Sequence, residues 1–150
     1  MISILESAFN PWQVLEKHQE SLLQAGAYGA CSSFIGTMRD MNEGDQVNAM
    51  LLEHYPGMTE KHLQKIIDSA EQQWNLLDSL IVHRVGKLLP NDPIVLVAVW
   101  SAHRKDAFEA CRFIMEDLKS KAPFWKKEAL LSDNDQPQKN RWVEKNTSGY

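Results

Sequence analysis

The sequence predicts an α+β fold: one compact domain in which a mixed or antiparallel sheet carries packed helices. Three observations lead there. Short runs of strand length, such as Ile94 to Trp100, are apolar throughout, as expected of strands buried on both faces. Longer stretches repeat their apolar residues at helical spacing, as in Phe108, Cys111, Ile114, Met115 and Leu118. The chain of 150 residues is long enough for one real core and too short for two comfortable ones. Periodicity alone leaves a mixed α/β order open.

The elements follow in order. Ile2 to Leu5 reads as a short strand. Asn10-Pro11 starts a helix, because Asn caps the free N–H groups and Pro suits the first helical position. Trp12, Leu15, Leu22 and Leu23 give this helix its apolar face, and it ends near Gly26. Tyr28 to Met38 is a strand whose small residues invite close packing, and Arg39 to Asp45 a polar loop. Val47 to Tyr55 is a strand. Pro56-Gly57 turns the chain, and Thr59 is expected to cap a helix reaching Trp74 on a stripe of Leu63, Ile66, Ile67 and Ala70. Leu80 to Val85 is a strand, Gly86 to Asp92 a loop, and Ile94 to Trp100 a buried strand. Lys105 to Lys121 is the longest helix, stopped by Pro123. Phe124 to Leu131 is a strand and Arg141 to Glu144 a last one. Residues 1–150 form one domain, with a polar loop at 132–140 and a flexible tail at 145–150.

Composition narrows the function. The net charge of -4 argues against general nucleic-acid binding. No apolar run has the length of a membrane span, and the first residues lack the basic start of a signal peptide, so a cytoplasmic protein is expected. Cys31 and Cys111 lack the spacing of a disulfide framework or metal site and read as buried thiols. His54 and His83 read as structural histidines within strands, and His18 and His62 as solvent-facing ones on helices.

One region departs from this background. Seven of the 16 Lys and Arg residues lie between Arg104 and Lys127, which in an acidic chain points to an anionic ligand. His103 and Arg104 sit where a strand meets a helix start, a place that attracts anions. The same pair would also serve as ordinary capping residues. Lys119 and Lys126 flank the rigid Ala122-Pro123-Phe124-Trp125 link, whose aromatic rings could desolvate an ammonium and lower its pKa. Lys119 near a helix C-terminus is equally explained by the helix dipole. Arg39 leaves a strand where a guanidinium could grip a phosphate. Arg104 and Lys119 are 15 residues apart, roughly 22 Å along a helix, so one small ligand touching both requires a second copy of the chain. A composite site across a homodimer is therefore expected.

The segments Phe34-Ile-Gly-Thr-Met-Arg39-Asp, Leu52-Glu-His-Tyr-Pro-Gly-Met-Thr-Glu60, His83-Arg-Val-Gly86, Ser101-Ala-His-Arg104 and Lys119-x-x-Ala-Pro-Phe-Trp-Lys126-Lys-Glu128 together resemble the large, catalytic subunit of molybdopterin synthase. The resemblance runs from about Gly26 to Val143, with the motifs in the family's order and spacing. It implies an α+β fold and a sulfurtransferase. The substrate would be cyclic pyranopterin monophosphate, converted to molybdopterin by installing a dithiolene. The sulfur would come from the C-terminal glycine thiocarboxylate of a small ubiquitin-like partner. The assembly would be a heterotetramer around a homodimer of large subunits. No cofactor or metal is implied.

Carried over position by position, the resemblance puts substrate contacts at Thr37, Met38, Arg39, His103, Arg104, Lys119, Lys126, Lys127 and Glu128, with Lys119 and Lys126 catalytic. Arg141 and Lys145 are both candidates for a basic contact from the C-terminal region. The alternative is a module that docks the ubiquitin-like partner without turnover.

Overall fold

The structure, a computed structural model, describes residues 1–22, 26–42, 45–131 and 137–143. Its centre is a four-stranded sheet in the order β1 (Ile2–Leu5), β5 (Leu76–Arg84), β7 (Pro93–Ser101), β2 (Ala30–Thr37). β1 runs parallel to β5, and the other pairs are antiparallel. Helices cover both faces, which is why β5 and β7 carry unbroken apolar runs. On one face Ile81, Val95, Val97 and Val99 pack against α2 (Met58–Gln73) and α3 (Arg104–Lys121). On the other, Leu80, Val82, Leu96, Ala98 and Trp100 meet Val14 and Leu15 of α1 (Pro11–Leu22). The side chains alternate because a strand has a period of two.

A second sheet runs β3 (Met41–Asn42), β4 (Asp45–His54), β8 (Phe124–Leu131), β9 (Pro137–Trp142), with β6 (Gly86–Leu88) also paired to β4. Its inner face holds a smaller core of Met38, Val47, Met50, Leu52 and Leu88. The α+β class is thus as predicted, with two sheets in place of one. The chain crosses from the first sheet to the second three times, and returns through α2 and between β6 and β7. Thr37 to Met41 leads from β2 to β3, Val85 leads from β5 to β6, and Ala122-Pro123 leads from α3 to β8. Gly86 has a φ of 83°, a left-handed conformation that glycine adopts without steric cost.

Several expectations change. The polar loop after Arg39 contains β3, which pairs Met41 and Asn42 with Gln46 and Asp45. The loop at 86–92 begins with β6, held by Met50, Leu51 and Leu52 of β4. The last strand starts at Pro137, so half of the expected 132–140 loop is ladder; its polar composition suits an edge strand. Residues 132–136 and the expected tail at 145–150 lie outside the described residues. Thr59 is not the cap of α2. Gly57 takes that position, and Thr59, buried within the first turn, donates its hydroxyl to the Tyr55 carbonyl and accepts from the Tyr55 N–H. Asn10 caps α1 as predicted, accepting from Trp12 N–H at 3.0 Å. His18 does not face solvent. It is buried, pairs with Asp78 at 2.6 Å and lies against Trp100. Cys31 is exposed, because it stands on β2, the edge strand; Cys111 is buried on the sheet-facing side of α3.

Candidate active site

The second sheet and the C-terminal end of α3 enclose a cleft of about 400 Å³. Each wall follows from local structure. Thr37, Met38 and Arg39 enter where β2 ends and the chain crosses between sheets. Lys119 enters from the last turn of α3, where a cation complements the carbonyl end of the helix. Pro123, lacking an N–H, forbids a further turn and turns the chain into β8. Strand alternation then aims Phe124, Lys126 and Glu128 into the cleft. The same alternation turns Trp125 and Lys127 outward. Trp125 is exposed, and the Lys127 ammonium lies over the Trp142 ring at 5.4 Å.

The cleft therefore unites Thr37, Met38, Arg39, Lys119, Lys126 and Glu128 from the predicted set. Lys127 is on the far face of β8. His103 and Arg104 are exposed at the opposite end of α3 and do not line the cleft. Along α3, Arg104 and Lys119 are separated by roughly 22 Å of axis.

The electrostatics inside are uneven. Burial pushes the Lys126 ammonium below its ordinary pKa, the Lys119 charge adds to this, and Glu128 opposes it. Glu128 is itself buried and is held by two donors, Asn42 Nδ2 at 2.7 Å and Arg141 Nη2 at 3.0 Å. Arg141, one of the two C-terminal candidates, thus binds the rear of the site. Lys145 lies outside the described residues.

Sequence reasoning missed part of the lining. Phe34, Met50 and Met115 supply apolar wall, Asn42 supplies an amide, and His83 closes the inner end. His83 is buried, stacked on Phe124 with ring centroids 3.8 Å apart and planes 11° from parallel. Its Nδ1 lies 2.9 Å from the Arg84 carbonyl. A carbonyl only accepts, so Nδ1 carries the proton and Nε2 is left with a lone pair. Burial pushes the imidazole pKa from 6.5 down to about 4 against the opposing Arg84 hydrogen bond, with smaller contributions from Lys126 and His54. No periodicity marks this residue, since strand β5 is buried on both faces.

The arrangement suits an anionic ligand with an apolar body. It offers two ammonium groups from different elements, one of them with its pKa lowered by burial, with an arginine at the rim. Among the described residues no three His, Cys, Asp or Glu side chains gather as a metal site, and no helix is long and apolar enough to cross a membrane.

A family model described as MoaE protein matches residues 8–121. The chain belongs to the MoaE protein family. Among curated relatives, the molybdopterin synthase catalytic subunit of Ralstonia nicotianae is 60% identical over 77% of this chain and 62% of its own length. The chain thus spans less than two thirds of that relative. The corresponding subunit of Pseudomonas aeruginosa is 48% identical over 95% of this chain and 89% of its own. Among solved structures, the molybdopterin biosynthesis MoaE protein of Burkholderia ambifaria superposes with a TM-score of 0.76 at 44% identity, covering 95% of this chain and 88% of that one. Molybdopterin synthase from Staphylococcus aureus gives 0.81 at 31% identity, covering 95% and 96%.

Proposed function

We propose that the chain acts as the catalytic subunit of a molybdopterin synthase. It moves sulfur from the C-terminal thiocarboxylate of a small ubiquitin-like partner to cyclic pyranopterin monophosphate, forming a dithiolene. One observation carries this: Lys119 and Lys126, far apart in architecture, converge with Arg39 on a single cleft in a chain of net charge -4. The names of the relatives support it.

In this reading Lys119 and Lys126 are the catalytic pair. They neutralise the charge that develops as the thiocarboxylate sulfur attacks and the cyclic phosphate opens, and Lys126, its pKa lowered, moves protons. Arg39 grips the phosphate. Thr37 and Met38 line the substrate's path, and Glu128 holds the floor on which Lys126 stands. His103 and Arg104 are too far from this cleft to serve it, so they serve the cleft of a second copy. That makes a homodimer the core of the assembly, with one small partner bound to each cleft. Lys127 faces away and has no role here. The setting is cytoplasmic, in keeping with two free cysteines.

The test is reconstitution with a thiocarboxylated partner and cyclic pyranopterin monophosphate, scored for dithiolene product. Lys119→Ala is expected to abolish product while keeping its melting temperature. Mixing inactive Arg104→Ala and Lys119→Ala chains is expected to restore part of the activity, since one cleft of a mixed dimer is intact. Tight partner binding by the wild type without product would refute the catalytic reading.

A further inference from the structure

Transfer of sulfur from an acyl carrier has a second half that the lysines do not complete. Once the thiocarboxylate sulfur has bonded to the substrate, the partner's glycine carbonyl is still attached to that sulfur. To free the product, water must cleave the acyl–sulfur bond, and at neutral pH that water needs a base.

Resting on the function proposed above, we propose that His83 is this base. Three geometric facts favour it. It lines the cleft shared with Lys119 and Lys126. Its Nδ1 proton is committed to the Arg84 carbonyl, so the bare Nε2 is the ring's reactive atom. The Phe124 stack fixes the plane of the ring. Within one copy of the chain, the other basic groups are less suited. Glu128 is engaged by Asn42 and Arg141. The two lysines are assigned to the first attack. His54 has a buried Nδ1 without a partner but does not line the cleft.

Burial first, and the surrounding charges after it, keep the imidazole neutral against the Arg84 hydrogen bond. Lys126 on β8 and His54 on β4 both oppose its protonation, and burial opposes it most. Entry of an anionic phosphate and thiocarboxylate reverses that local field and strengthens the base when the substrate is present.

The step balances. Nε2 takes a proton from water as the hydroxyl oxygen bonds to the glycine carbonyl carbon. The carbon–sulfur bond breaks with its electron pair on sulfur, and the imidazolium returns its proton to that sulfur. The products are a carboxylic acid on the partner and a thiol on the substrate.

The experiment is single-turnover reaction of the full chain with thiocarboxylated partner and cyclic pyranopterin monophosphate, followed by denaturing mass spectrometry. In His83→Gln, a covalent partner–substrate adduct is expected to accumulate while turnover falls about 100-fold, the scale of a lost general base. Lys126→Ala is expected to lose turnover without the adduct, because it stops earlier. Turnover of His83→Gln within threefold of wild type, or slow turnover without adduct, would overturn the assignment. Absence of product from the wild type would overturn the functional reading together with it. Should the variant fail to fold, ¹⁵N NMR of histidine-labelled wild type decides. A bare Nε2 at pH 7 supports the assignment, and a protonated Nε2 overturns it.

Discussion

Removing the Glu128 carboxylate is expected to loosen the second sheet from behind the cleft. The side chain is 7% exposed and accepts from two donors on separate strands, Asn42 of β3 and Arg141 of β9. A hydrogen bond to a charged group contributes about 1.5–3 kcal/mol, and this carboxylate accepts two of them. Arg141 is 31% exposed, so water rescues part of its loss. Glu128→Ala should therefore cost about 3 kcal/mol. Urea denaturation at pH 7 measures this through the midpoint, with the slope unchanged. A cycle with Arg141→Ala should show a coupling of about 1–2 kcal/mol, because the two side chains touch. A loss under about 0.5 kcal/mol, typical of a neutral surface change, would show that the carboxylate does not tie the strands, and the account of this corner would fail.

Other predictions concern protonation, packing and charge. The folded pKa of His83, about 4, lies below its ordinary 6.5, so the folded chain holds fewer protons than the unfolded chain between those values. This contribution is fully present above pH 6.5 and is lost as pH falls towards 4, by about 3 kcal/mol in all. The stability gap between wild type and His83→Gln should shift by that amount between pH 7 and pH 4, and a constant gap would refute the burial argument. A Cβ on Gly29 would stand 2.3 Å from the Ala102 carbonyl oxygen, which is backbone and cannot swing away. Gly29→Ala should cost about 2 kcal/mol and lower the melting temperature by about 4–8 °C. Lys119→Met removes a neighbouring positive charge and should raise the Lys126 pKa, read by the pH dependence of its chemical modification; an unchanged profile would separate the two lysines.

Legibility in the sequence followed physical period. The central sheet and its helices were readable because Ile94 to Trp100 and the stripe on α3 carry strong, regular signals. β3 and β6 were not, since two- and three-residue strands are created by their partner β4 and not by their own propensity. The buried His18 was missed because its partner Asp78 is 60 residues away. At the site, Lys119 and Lys126 stood out through the Pro123 link between them. His83 did not, because a histidine inside an apolar strand reads the same whether it closes a cleft or fills a core. Lys127 followed its neighbours in the motif, and only the ladder register separates it from them.

Lys119 rides on a helix packed against the first sheet, whereas Lys126 is built into the second. The distance between their ammonium groups is therefore a measure of how the two sheets are set against each other, across passages as slight as Val85-Gly86 and Ala122-Pro123. A ligand held by both lysines works as a rivet between two plates. Its arrival should slow amide exchange not only at the cleft but along the length of β9 and β3, strands tied to it through Arg141 and Asn42 at Glu128 and through the sheet they belong to.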